Sequence, residues 1–98
     1  MYTLVKKEDA VARQVSDTKV VHNFITKDIS PGVSLAVVEN NGDFGEVTAL
    51  QNYCYYVIEG VLELTFADEV VRIEAGDACL VEQGTTYNFA GDCKAVVV

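Results

Sequence analysis

The sequence predicts an all-β fold, a small barrel or sandwich, on three observations. Short runs rich in valine, isoleucine, tyrosine and phenylalanine recur along the chain, and such residues fit a pleated, half-buried surface. Several runs alternate apolar and polar residues, the period of a strand with one face on a core. Turn signals separate them roughly every 8 to 12 residues, the spacing of a sandwich or barrel and not of alternating β and α units.

In chain order, residues 2–5 are expected as an edge strand and residues 7–14 as a single helical turn or an irregular arm. Residues 18–25 form a β-branched strand, with Val20, His22 and Phe24 on one face and Val21, Asn23 and Ile25 on the other. Ser30, Pro31 and Gly32 end it with strong turn chemistry. Residues 34–38 are apolar enough for a strand buried on both faces, and the Asn41-Gly42 pair that follows favours a hairpin turn. Residues 44–50 lead into residues 53–59, the strongest strand signal, and Gly60 is expected to turn the chain into a second strand in which Leu62, Leu64 and Phe66 share one face. Ala67 and Asp68 make the next turn. Glu69–Glu74, Ala78–Val81, residues 86–89 and residues 94–98 complete about nine strands.

Ninety-eight residues suit one domain with one core, residues 1–98. Fifteen acidic against seven basic residues give a formal net charge of −8, which repels phosphate backbones, so nucleic acid is not expected as a partner. No run reaches the ~18 apolar residues of a membrane span, and charge directly follows the short apolar start. A soluble, cytoplasmic protein with no membrane partner is therefore expected. Cys54, Cys79 and Cys93 form no CxxC pair and leave an odd thiol over, which implies neither a zinc motif nor a disulfide framework. Cys54 and Cys79 lie in apolar strand patterns and are expected as buried core filler.

Between residues 41 and 91 the chain carries two glycine frames. Gly76 is followed at fixed spacing by Glu82, Gly84, Tyr87 and Gly91, and Gly60 lies seven positions after Tyr53. This resembles the two motifs of the cupin superfamily, G-x5-P-x-G-x2-H-x3-N and a first motif ending in E-x6-G. The glycines at 60, 76 and 84 are in register, while the proline, histidine and asparagine are replaced. The resemblance implies a small cupin-type β-barrel, a double-stranded β-helix or jelly roll, and a twofold homodimer. The family's metal rests on three histidines and a glutamate. Here those positions hold Val47, Ala49, Tyr53 and Tyr87, and a spacer one residue longer recovers only Glu46 in place of the first pair. One carboxylate cannot hold a catalytic metal, so neither metal nor other cofactor is expected.

Positions that hold ligands in cupins face the barrel interior, so the resemblance points Val47, Ala49, Tyr53 and Tyr87 inward, and period 2 adds Gln51, Tyr55 and Phe89. A small barrel can fill such an interior with side chains and serve as a scaffold or dimerisation module. Alternatively, the tyrosines and Gln51 orient a small, largely neutral organic ligand while the aromatic residues supply contact area. A third possibility resembles the metal-independent sugar epimerases and isomerases, with Tyr53 or Tyr87 as acid and His22, the only histidine, as base. It requires His22 inside the barrel. No catalytic residue is assigned from the sequence, and Tyr56, Ile58 and Val61, opposite the lining, form an apolar face suited to a partner copy.

Overall fold

The structure is a computed structural model that describes residues 1–98. After a single 3-10 turn at Lys7–Asp9, nine strands follow: β1 Val11–Gln14, β2 Lys19–Ile25, β3 Leu35–Asn40, β4 Asp43–Thr48, β5 Tyr53–Phe66, β6 Glu69–Glu74, β7 Ala78–Val81, β8 Thr86–Ala90 and β9 Cys93–Val97. They form a curled, wholly antiparallel sheet in the order β1-β2-β3-β9-β5-β8-β4, with β6 and β7 also paired to β5. Every strand after β3 is thus tied directly or through one neighbour to β5.

Strand β5 differs from the sequence expectation, because Gly60 does not turn the chain. The strand runs through it for 14 residues, with a bulge where the pairing to β9 slips between Val57 and Glu59. A bulge adds one residue on one side, so the inward face changes parity. Before it, Tyr55 and Val57 are buried; after it, Leu62 and Leu64 are buried. The two out-of-phase apolar patterns that suggest two strands are therefore one bent strand. Its first half pairs with β7 and β9, and its second half with β6 and β8.

Asn41-Gly42 likewise makes no hairpin. Strand β3 pairs with β2 and β9 while β4 pairs with β8, so this turn is a corner between sheet halves. Buried Asn40 braces it: its Nδ2 donates to the carbonyls of Gly42 and Gly91 at 3.0 and 2.8 Å, and its Oδ1 accepts from Thr18 Oγ1 at 2.9 Å. These bonds satisfy a buried amide that would otherwise be costly.

Residues 2–5 form no strand, and the strand lies instead at Val11–Gln14, an exposed edge paired to β2. Strand β3 is buried on one face only, at Val38 and Asn40, because its other face is the outside of the molecule. Cys54 is exposed and Cys79 half-buried, since Cys54 alternates with inward Tyr53 and Tyr55; the buried thiol is Cys93. The core gathers Leu62, Leu64, Ile73, Val81, Tyr87 and Phe89 with their neighbours on one side of the curl. The other side is open.

Candidate functional site

The open side is a cavity of about 360 Å³ within the curl. Strand β2 gives it Lys19, Val21, Asn23 and Ile25, and β3 adds Ala36 and Val38. Val97 of β9, paired to Ala36, continues this wall, and Tyr53 and Tyr55 of β5 with Val47 of β4 complete the lining. Thr26, Lys27 and Ser34, in the connection between β2 and β3, bring polar groups to the same wall. Such a mixture, mostly apolar with a few convergent polar groups, is the usual constitution of a small-molecule site.

Of the sequence-predicted residues, Val47, Tyr53 and Tyr55 line this cavity. Ala49, Tyr87 and Phe89 point inward but are fully packed, forming the layer behind it. Gln51 is elsewhere. Strand β4 ends at Thr48 and the chain bends at Leu50 and Gln51, so the period-2 extrapolation does not carry that far. Gln51 Nε2 instead donates to Ser34 Oγ at 3.3 Å beside a separate hollow near Pro31 and Gly32.

The aromatic layer is continuous. Tyr55 packs on Tyr53 and Phe89 with ring centroids 6.2 and 5.9 Å apart, Phe89 meets Phe44 edge-on at 6.2 Å, and Tyr87 rests on Phe66 at 5.7 Å. The hydroxyls of Tyr55 and Tyr87 share a hydrogen bond of 2.6 Å. Burial pushes both phenols above their ordinary value, and for Tyr55 the bond to Tyr87 adds to the rise. Both stay protonated through the neutral range, as hydrogen-bonding groups and not phenolates.

Removing either hydroxyl strands the other, which is expected to cost about 1–3 kcal/mol for Tyr55→Phe or Tyr87→Phe, whereas the double variant loses little more than one single variant. A double-mutant cycle by urea unfolding reads that coupling. The same pair sets an alkaline limit. Because the folded values lie above the ordinary 10.0, the pair's contribution is whole below pH 10 and declines as the unfolded chain begins to ionise above it. Stability measured from pH 9 to 11 should fall in wild type and fall less in the double phenylalanine variant.

Lys19 is the site residue that the sequence does not single out. Its Nζ lies 4.2 Å from the centroid of Phe44 and 4.1 Å from that of Phe89, a cation held between two ring faces. Burial lowers its pKa from 10.5, against a smaller raising effect of Cys93. The ion pairs in the structure are His22 with Glu39 and Arg72 with Glu63, so no carboxylate partners Lys19. The available signal was the inward alternation Lys19, Val21, Asn23, Ile25.

His22 lies on the outer face. Its Nε2 is 2.8 Å from Glu39 Oε2, beside Phe24, Val37 and Lys94, and it alternates with the cavity-lining residues of β2. It is therefore no base for chemistry in the cavity, and the tyrosine–histidine isomerase arrangement has no geometry here. The donors for the family's metal do not fit either. Val47 and Ala49 offer no ligand atom, Glu46 is exposed on the outward side of β4, and Tyr87 is committed as a neutral phenol to Tyr55. Nowhere do three His, Cys, Asp or Glu side chains converge as a metal would need.

No helix in the structure is long and apolar enough to cross a membrane. Among curated proteins, none matches this sequence. Among solved structures the fold is similar to Pac13, a nucleoside dehydratase of Streptomyces, with TM-score 0.84 and 18% identity over 99% of this chain and 80% of that one. It is also similar to the polyketide cyclase RemF of Streptomyces resistomycificus, TM-score 0.79 and 20% identity over 99% and 78% of the two chains. KdgF of Halomonas gives TM-score 0.80 and 14% identity over 99% and 91%. At these identities the likeness establishes the fold alone. The profile of the cupin domain matches residues 45–98, more than half the chain, and takes in Gly60, Gly76, Gly84 and Gly91. The barrel-like curl, the matched profile and the retained glycines agree, and the chain belongs to the cupin family.

Proposed function

We propose that this cupin binds a small organic molecule in the cavity between β2, β3 and β5, without a metal, as one domain. The observation that carries this is the cavity itself, about 360 Å³ of space left open beside a packed core and walled by apolar side chains with polar groups among them. A barrel filled by its own side chains offers no such space. Pac13, of the same fold, has been solved with uridine, which supports a small organic molecule as the kind of ligand. Assembly as a cytoplasmic homodimer belongs to the same proposal. Tyr56, Ile58 and Leu80 stand exposed on the outer face of β5 and β7, an apolar surface that a second copy would cover.

Native mass spectrometry of untagged protein tests both parts. The expected result is a small organic mass released on denaturation, retained by wild type and lost in Ala36→Phe, which fills the cavity without disturbing the packed core. The same spectra should show twice the 10.7 kDa chain mass. Bare wild-type protein that also fails to bind any member of a small-molecule panel would remove the binding proposal.

A further inference from the structure

The cavity inverts the charge balance of the chain. Acidic residues outnumber basic ones fifteen to seven overall, yet the fourteen residues around the cavity include Lys19 and Lys27 and no aspartate or glutamate. From the cavity lining we infer that the ligand is a small organic anion of the carboxylate class, with Lys19 as the residue that selects its charge. The inference rests on the proposal that the cavity binds a ligand at all, and it replaces the expectation of a largely neutral molecule.

The two lysines are not equivalent. Lys27 is exposed beyond the end of β2, where solvent and salt weaken its field. Lys19 is half-buried in the cavity wall, its ammonium laid on the faces of Phe44 and Phe89, with neither of the chain's ion pairs involving it. Ring faces stabilise a cation but do not neutralise it, and in a low-dielectric wall an uncompensated charge attracts an anion more strongly than the same charge in water. A carboxylate in the cavity would supply the missing counter-charge. Asn23, four residues along the same inward face of β2, offers an amide donor on the Lys19 side, whereas Thr26 and Ser34 line the far end of the cavity, roughly 20 Å along the strand, too far to share that carboxylate. The remainder of such a ligand would lie on Val21, Val38, Val47 and Val97, between the rings of Tyr53 and Tyr55 and the β2 side. No carboxylate of the protein competes for that position, which is unusual in a chain this acidic.

The test uses a matched pair of probes, trans-cinnamate and cinnamamide, which share shape and differ in charge. Titrations followed by the backbone amide signals of Val21, Ala36 and Val47 locate binding as well as measure it. The expected result is that cinnamate binds at least about tenfold more tightly than cinnamamide, that Lys19→Met abolishes the preference while leaving cinnamamide binding in place, and that Lys27→Met reduces it only about two- to threefold. Methionine keeps an apolar stem on the two rings, and the wild-type comparison of the two probes stands whether or not either variant folds. Equal binding of both probes by wild type overturns the charge assignment and leaves the binding proposal intact. Preference retained in Lys19→Met overturns the role of Lys19. Failure of both probes to shift these signals overturns the inference, while the binding proposal is decided by the mass spectra and the ligand panel.

Discussion

Replacing Gly60 with alanine is expected to lower the unfolding free energy by roughly 3–5 kcal/mol, through backbone strain and overpacking acting together. Its φ of +76° lies in the left-handed region, and a Cβ there would stand 2.0 Å from the carbonyl oxygen of Asp92 and 3.1 Å from Cys93 Cα. Both obstacles are backbone at the turn from β8 into β9. They cannot swing aside, because Val61 N donates to that same Asp92 oxygen at 3.0 Å, and moving one chain breaks the register that carries β5 past its bulge. Gly91 is the reciprocal contact, with its Cβ position 2.3 Å from Val61 O at φ +111°. Gly76, a motif glycine with φ +93° but open space around it, separates the two effects: Gly76→Ala should show only backbone strain, about 1–3 kcal/mol. Urea unfolding of the three variants measures this, and a Gly60→Ala cost no larger than that of Gly76→Ala would mean that β5 and the turn at Asp92 do not touch as described. Because Gly60 and Gly91 relieve the same crossing, the double variant should lose less than the two losses combined.

This crossing explains how the sequence could point to the right family and still misplace a turn. Gly60 is legible as a position that needs a glycine, since a glycine before Val61 interrupts two strand patterns. What demands it is a neighbour 32 residues away in sequence, and no local signal distinguishes a turn from a mid-strand glycine pressed against another chain segment. The inward tyrosines were legible for the opposite reason: Tyr53 and Tyr55 alternate with Cys54 and Tyr56, and period 2 settles their face once the family register is recognised. Lys19 was hidden by the cavity. Side-chain alternation identifies two faces of β2, but Val20, His22 and Phe24 look no less suited to a core than Lys19, Val21, Asn23 and Ile25. Hydrophobicity selects the inward face when that face is packed, and it loses this power when the face borders open space that tolerates a lysine and an asparagine. His22 follows from the same ambiguity, for assigning the faces of β2 either way decides whether the only histidine is inside.

Phe89→Ala is expected to cost about 3–5 kcal/mol, the range for emptying a large buried aromatic site. Phe89 is 0% exposed and closes the layer behind the cavity, touching the rings of Tyr55 and Phe44 and one side of the Lys19 ammonium. The substitution acts on more than volume. It leaves a space beside a desolvated cation, and water entering that space would hydrate the ammonium that burial now disfavours. Burial is the larger of the influences on Lys19, so its pKa should rise toward 10.5 in the variant even though one cation–ring contact is lost. Phe89→Leu keeps most of the volume and excludes water, and is expected to lose less stability, about 1.5 kcal/mol, without that rise. Unfolding in urea gives the stability difference, and the side-chain signal of Lys19 followed through an alkaline titration gives its protonation. A large stability loss with an unmoved Lys19 would show that Phe89 supports the core but does not insulate the cation; both changes together would place the packing of the barrel and the charge of its cavity on one aromatic ring.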